Sequence, residues 1–233
     1  MTMKHVVWGV ALCVIATGAS RVAYAAKDDE GQRVRASTIV LNEMMQAPDK
    51  GIPASVLDKA EAIAIFPGVK KAGFVVGGQW GRGLISVRDA QTRRWSAPAF
   101  LTMTGGSVGA QIGGTEIDVI LVVMNRQGVE HLLANEFKMG GEMSAAAGPL
   151  GRAAEASTDL QLQAQILSYS RSRGLYAGAT VNGSMVKEDL DANRRFYGRT
   201  LSSEDIVLNR MGTGSKAPAS VDALRASLTR DTR

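Results

Sequence analysis

Sixteen glycines fall among the 84 residues from Gly68 to Gly151. A segment of that density is not helical, because each interior glycine costs a helix about 1 kcal/mol relative to alanine. The apolar runs between the glycines are rich in β-branched residues: Phe74-Val75-Val76, Leu84-Ile85-Ser86-Val87 and Ile117 to Val123. Those are strand compositions. Glycine also weakens a strand, so it is placed where a sheet curves, bulges or lets backbones approach closely. The middle of the chain is therefore expected to be a curved, barrel-like antiparallel sheet, with Gly81-Arg82-Gly83 as a turn or bulge inside a hairpin.

Helical patterns flank this region. From Gln32 to Gln46, residues Val34, Thr38, Leu41 and Met45 fall on one stripe, with Ile39 and Met44 nearby. Pro48 stops that pattern, and Pro53 opens a short helix over 54–62. A short helix is expected over 129–134. Strands are expected over 163–170 and 175–181, around a turn Arg171-Ser172-Arg173-Gly174. Glu188 to Tyr197 reads as helix again. Gly212 to Ser215 reads as a linker before a loosely attached terminal helix over 221–228. The fold class is α+β, with N- and C-terminal helices around a glycine-rich sheet.

The first 25 residues read as an address. Lys4 supplies a basic start, Val6 to Ala19 is apolar or small over 14 residues, and Ala23-Tyr24-Ala25 is a cleavage site. The run falls short of the roughly 20 residues a spanning helix needs. An uncleaved anchor is the alternative. Cys13 is preceded by Leu12, too large for a lipidation site. Cleavage after Ala25 removes Cys13, Lys4 and Arg21, lowering the formal net charge from +5 to +3. The expected location is exported, in the periplasm or cell envelope.

Composition narrows the function. With 45% hydrophobic and 21% charged residues, the chain is not disordered as a whole. One cysteine and two histidines exclude a disulfide and a cysteine- or histidine-rich metal cluster. No metal or cofactor is expected. The basic balance partly belongs to the signal, and no basic run or zinc-finger spacing points to nucleic acid. Asp28, Asp29 and Glu30 lack calcium-loop spacing. Gly105-Gly106-Ser107-Val108-Gly109 matches the nucleophile elbow of α/β-hydrolases. A hydrolase would need Ser107 with His131 and an acid such as Asp118 or Asp159, in the wrong chain order, and strand-like residues follow where a helix is required. The same stretch alternates with period two. Ser107, Gly109, Gln111 and Gly113 form one small, polar face, read either as solvent-facing or as the floor of a groove.

Several blocks together carry a family resemblance: 63–83 (IAIFPGVKKAGFVVGGQWGRG), 95–113 (WSAPAFLTMTGGSVGAQIG), 145–152 (AAAGPLGR), 167–179 (LSYSRSRGLYAGA) and 193–198 (NRRFYG). In order and spacing they resemble the SYLF domain. The organisation is then signal peptide 1–25, leader and amphipathic helix 26–51, SYLF-like domain 52–198 and helical tail 199–233. The resemblance implies non-catalytic binding of phosphoinositides or other anionic lipids. Some eukaryotic members also bind actin, which an exported protein does not meet, so actin is expected not to be a partner.

The candidate lipid-binding residues are cationic. Arg33 and Arg35 lie on the N-terminal helix, Lys70 and Lys71 follow the Phe66-Pro67-Gly68 turn beside an exposed apolar residue, and Arg171 and Arg173 sit at a hairpin tip. Cations beside an amphipathic stripe suit a membrane surface, and each contributes about 1 kcal/mol near anionic lipid. The bland alternative is that the stripe packs on the sheet and the charges solvate it. The expected function is capture of anionic headgroups at a membrane surface, with possible homo-oligomers. The second reading is a structural or partner-binding envelope protein.

Overall fold

The computed structural model describes residues 29–47, 51–73, 76–108, 113–134, 136–139, 145–151, 164–172, 175–178, 183–212 and 218–231. The segment expected to be a signal peptide, Phe74-Val75 and most of the 212–215 stretch expected to be a linker lie outside them.

The expected α+β fold is present. Helix α1 covers 29–45. It is followed by α2 (Ala54–Asp58), β1 (Ala62–Gly73), β2 (Val76–Val87), β3 (Ala99–Val108), β4 (Gly113–Val123) and α3 (Arg126–Leu133). Then come β5 (Glu136–Lys138), β6 (Ala145–Ala147), β7 (Ile166–Ser172), β8 (Leu175–Gly178), β9 (Ser184–Glu188), α4 (Leu190–Tyr197), α5 (Ser203–Val207) and α6 (Ala219–Asp231). The strands form one curled sheet in the order β5-β9-β3-β2-β1-β4-β7-β6, with β8 paired to β7. Its pairs are antiparallel apart from β6 with β7.

The sheet has two halves, and the sequence explains both. Ala62 to Phe66, Leu84-Ile85, Val87 and Val119 to Val123 are buried on both faces of neighbouring strands. These are the β-branched runs. Farther along the same four strands the rows empty of side chains: Ser107, Gly77, Gly73 and Gly113 are register partners across β3, β2, β1 and β4, and the next row is Gly106, Gly78, Ala72 and Gly114. Ser107 and Gly113 therefore belong to different strands rather than to one alternating face. Gly109 and Gln111 lie outside the described residues.

A bulge in β1 divides the halves. Register shifts fall between Ile65 and Lys70 against β2, and between Phe66 and Val69 against β4. Pro67 has no N–H for the ladder, and Gly68 adopts φ +59°, a conformation that favours glycine. Gly81-Arg82-Gly83 is not a turn; it runs within β2 opposite this bulge. A Cβ on Gly83 would lie 2.3 Å from the Ile65 carbonyl oxygen and 2.4 Å from the Phe66 ring.

The termini belong to the same core. Val34, Val40, Leu41 and Met44 of α1 are buried with the sheet residues, as are Val221, Leu224 and Leu228 of α6. The terminal helix is thus not loosely attached. The stripe expected on α1 exists and packs inward, which leaves Gln32, Arg35, Ile39 and Glu43 exposed.

The closeness at Gly83 sets a test. Gly83→Ala is expected to destabilise the fold by about 1–3 kcal/mol, the cost of overpacking a filled site. Gly106→Ala, where a Cβ meets nothing within 4 Å, should shift stability by less than about 0.5 kcal/mol. Urea unfolding midpoints measure both.

Candidate functional site

The cations expected to act together are separated by the fold. Arg33 faces inward. Its side chain is 6% exposed, it donates to Asp189 Oδ2 at 3.1 Å, and its guanidinium lies 5.1 Å from the Phe100 ring centroid. Burial lowers its pKa, with Asp189 opposing that shift. Glu30, fully buried, accepts from Arg195 Nε and Nη2 at 3.1 and 2.7 Å. Glu30 and Asp29 are therefore helical residues rather than part of a polar leader, and Arg33 is a packing residue that presents no charge to a surface.

Arg171 is also engaged, within β7 rather than at a hairpin tip. It donates to Asp118 Oδ2 from Nε at 3.0 Å and from Nη2 at 2.6 Å, and a further Nη1 bond reaches Glu43 of α1. Burial opposes its charge, but the bonds to the two carboxylates outweigh that and raise its pKa. Asp118 Oδ1 accepts the Gly68 N–H at 3.0 Å. Arg173 lies outside the described residues.

Lys70 and Lys71 are strand neighbours and point to opposite faces. Lys71 is half-buried, and burial lowers its pKa. Lys70 is exposed, and its register partner is Trp80. The exposed apolar neighbour is thus Trp80, 47% exposed, while Phe66 is fully buried. Arg82 lies 5.9 Å from the Trp80 ring centroid and bonds Asp29 at 2.8 Å.

These residues border a cleft of about 280 Å³ between α1 and the bulge, lined by Gln32, Ala36, Pro67, Lys70, Trp80 and Arg82 among others. On α1, Arg35 and Ile39 stand one turn apart on the outward stripe, Ile39 being 56% exposed. The cleft therefore combines the exposed Trp80 with Lys70 and Arg82, while Arg35 and Ile39 stand on the exposed stripe of α1. Two carboxylates temper its charge: Asp29, paired to Arg82, and Glu116, the β4 register partner of Lys70. Trp80 and Arg82 were not singled out as site residues from the sequence, and Ile39, expected near the apolar stripe, is exposed instead. The pairing of Trp80 with Lys70 depends on the register set by the bulge.

Among the described residues nothing forms a strand-to-helix elbow at Ser107. Ser107 pairs with Gly77 inside the β2–β3 ladder, and the next described element is another strand, β4. Among the described residues no cluster of histidine, cysteine, aspartate and glutamate has the arrangement of a metal site. No described helix is long and apolar enough to cross a membrane.

The blocks of family resemblance assemble into a clamp. Asn193 Oδ1 accepts the Phe100 N–H at 2.8 Å, Phe196 meets Phe100 edge-on at 5.1 Å, and Tyr197 donates to the Pro98 carbonyl at 2.5 Å. Ser96 Oγ accepts the Val87 N–H at 3.0 Å.

A curled α+β sheet closed by this clamp defines a class, and comparison with known proteins supplies the family. The profile of the Ysc84 family, described as "Las17-binding protein actin regulator", matches residues 104–230. The chain belongs to that family, which is the SYLF family of the resemblance. It is 35% identical over 197 residues to LAS seventeen-binding protein 3 of Saccharomyces cerevisiae, covering 82% of this chain and 41% of the relative. It is 36% identical over 197 residues to Protein YSC84 of the same yeast, covering 82% and 40%. With human SH3 domain-containing YSC84-like protein 1 the identity is 36% over 161 residues, covering 69% and 46%. The chain spans less than half the length of each of these relatives. The expectation that actin is not a partner is corrected, because the family is described as an actin regulator and its yeast relative is named for binding Las17.

The Arg171 network separates structure from surface binding. Arg171→Gln is expected to lower stability by about 1–2 kcal/mol through lost charge-assisted bonds. Thermal melting measures it; an unchanged midpoint with weakened vesicle binding would return Arg171 to the surface-binding set.

Proposed function

We propose that this chain is an exported, non-catalytic binding module that docks on anionic membrane surfaces. The observation that carries this reading is Trp80, nearly half exposed, beside Lys70 and Arg82 at the mouth of a cleft against α1. A half-exposed indole suits the headgroup region, where its ring meets acyl chain and its N–H meets water. Lys70 and Arg35 supply attraction of about 1 kcal/mol each near an anionic leaflet. Ile39 adds apolar area on the same outward stripe of α1 as Arg35. Paired acids make the surface amphipathic rather than strongly basic, so insertion and charge act together.

Vesicle co-sedimentation tests this. The chain is expected to bind vesicles rich in phosphatidylserine and not pure phosphatidylcholine, with binding falling as salt rises. Trp80→Ala, and separately Lys70→Gln with Arg35→Gln, should each weaken binding by about tenfold or more at an unchanged melting temperature. Unaltered binding in both variants refutes the assignment. Export is tested by N-terminal sequencing of the cell-envelope protein, where Ala26 is the expected first residue.

A second reading follows from the family description and the relatives' names: a protein partner of the actin-regulating machinery. Co-sedimentation with filamentous actin separates the two. Retention by actin but not by vesicles favours the second.

A further inference from the structure

The register takes Lys71 away from the Trp80 surface and gives it surroundings of its own. In β1, Val69, Lys71 and Gly73 share one face, while Lys70 and Ala72 take the other. Strand pairing places Thr115 on one side of Lys71 and Gln79 on the other, and the row continues through Gly105 to Ser184 of β9. The row one step deeper on this face belongs to the core, where Val69, Met103 and Val186 are fully buried. The row one step farther out holds Gly73, Gly77 and Gly113, which have no side chains. Lys71 is thus a half-buried amine between an apolar floor and a lip of bare backbone. We propose that Lys71 is a nucleophilic amine at which the chain takes up an apolar aldehyde as an imine.

An amine attacks a carbonyl only when it is unprotonated, so a nucleophilic lysine must lack the acid that would hold its proton. Among the described residues no carboxylate faces Lys71. Glu116 and Asp118 alternate to the opposite face of β4, where Asp118 is bound by Arg171 and by the Gly68 N–H. Glu188, an acid on the same face of β9, stands four residues along that strand, at the level of Leu101, and accepts the Ser203 N–H.

The other members of the row are neutral and are turned elsewhere. Gln79, 9% exposed, donates from Nε2 to Ser184 Oγ. That bond spans Gly105, where a Cβ would lie 3.2 Å from Gln79 Nε2 and 2.9 Å from the Ser184 Cα. Glycine at 105 therefore lets the amide lean toward β9, the side away from β1. Burial then acts on Lys71 without an opposing charge or hydrogen bond, and lowers its pKa.

Floor and lip select the carbonyl compound. The apolar row beneath the lysine favours an apolar body, and glycines let a flat ring approach the backbone closely. The step conserves atoms and electrons. The Nζ lone pair adds to the carbonyl carbon, the carbonyl π pair moves to oxygen, and a proton passes from nitrogen to oxygen to give the carbinolamine. Loss of that oxygen as water, with the second nitrogen proton, leaves the C=N bond. Nothing is oxidised or reduced, and water reverses the reaction. The site is independent of membrane docking, since Lys71 and Trp80 lie on opposite faces of the sheet.

Benzaldehyde with sodium cyanoborohydride tests this in the full chain. The hydride traps an imine as a secondary amine, and peptide mass spectrometry reads its position. Lys70 is the internal control: it is adjacent and more exposed, so accessibility alone would label it first. At about pH 7, labelling of Lys71 is expected to exceed that of Lys70 by about tenfold or more. Its rate should also level off at a lower pH, because a lowered pKa frees the amine sooner as pH rises. Lys71→Arg should remove that label and leave Lys70 labelling unchanged. Thr115→Asp sets a carboxylate beside the amine, and at an unchanged melting temperature it should bring Lys71 down to the Lys70 rate. Labelling of Lys70 as fast as Lys71 or faster overturns the proposal. So does a Thr115→Asp protein of unchanged melting temperature in which the preference for Lys71 persists.

Discussion

The hydrogen-bonded relay through Asp118 joins four parts of this protein. One oxygen takes the Gly68 N–H, freed by the bulge; the other takes two bonds from Arg171, which also reaches Glu43 on α1. Pro67 removes a ladder donor and Gly68 turns left-handed, so β1 needs a nearby acceptor to enter and leave the bulge without an orphaned N–H. Supplying it from a carboxylate makes the bond charge-assisted. Arg171 then offsets the cost of holding that carboxylate half-buried. The relay fixes the bulge, and the bulge fixes which β1 residue stands opposite Trp80. It also ties α1 to the sheet, and so decides which stripe of that helix faces outward.

The same constraint explains what could be read from the sequence. Glycine density and β-branched runs are local quantities, so the sheet and its class were legible, as was the apolar stripe of α1. The register was not, because it depends on a bulge whose cause is split between Pro67-Gly68 and Asp118, some 50 positions apart. Gly81-Arg82-Gly83 reads as a turn or a bulge because glycine pairs commonly make either; the segment lies opposite the β1 bulge, with Phe66, Ile65 and Val69 pressed against Gly81 and Gly83. The arginines were read as surface charges for a related reason. Arg33 meets Asp189 at a separation of 156 residues, and Arg195 meets Glu30 at 165. No window along the chain contains such a pair, so a buried ion pair looks like two solvated charges. Short strands such as β5, β6 and β9 carry too few residues for a period to show.

The blocks that mark the family are mostly structural. Asn193, Phe196 and Tyr197 hold Phe100 and Pro98, and Ser96 holds the end of β2. Each contact needs a particular side chain at a particular distance, so the residues cannot drift without loosening the clamp. That is why such blocks identify a fold so readily and say so little about a partner.

The arginines of a larger cleft, beside the loop after β2, are distributed differently. Arg88, Arg93 and Arg94 fall in the gap between the blocks 63–83 and 95–113, and Arg210, Arg225 and Arg230 follow the last block at Gly198. The clamp supplies their footing: Trp95 and Ser96 begin a block, and they underlie Arg88 and Arg225. The clamp thus carries arginines that lie outside the blocks. Three of those arginines pair with carboxylates, Arg93 with Glu61, Arg210 with Asp89 and Arg225 with Asp222, and the same residues also hold backbone carbonyls. These contacts tie the loop after β2, the turn after α5 and α6 to one another, so arginines outside the blocks also help hold the C-terminal helix on the sheet.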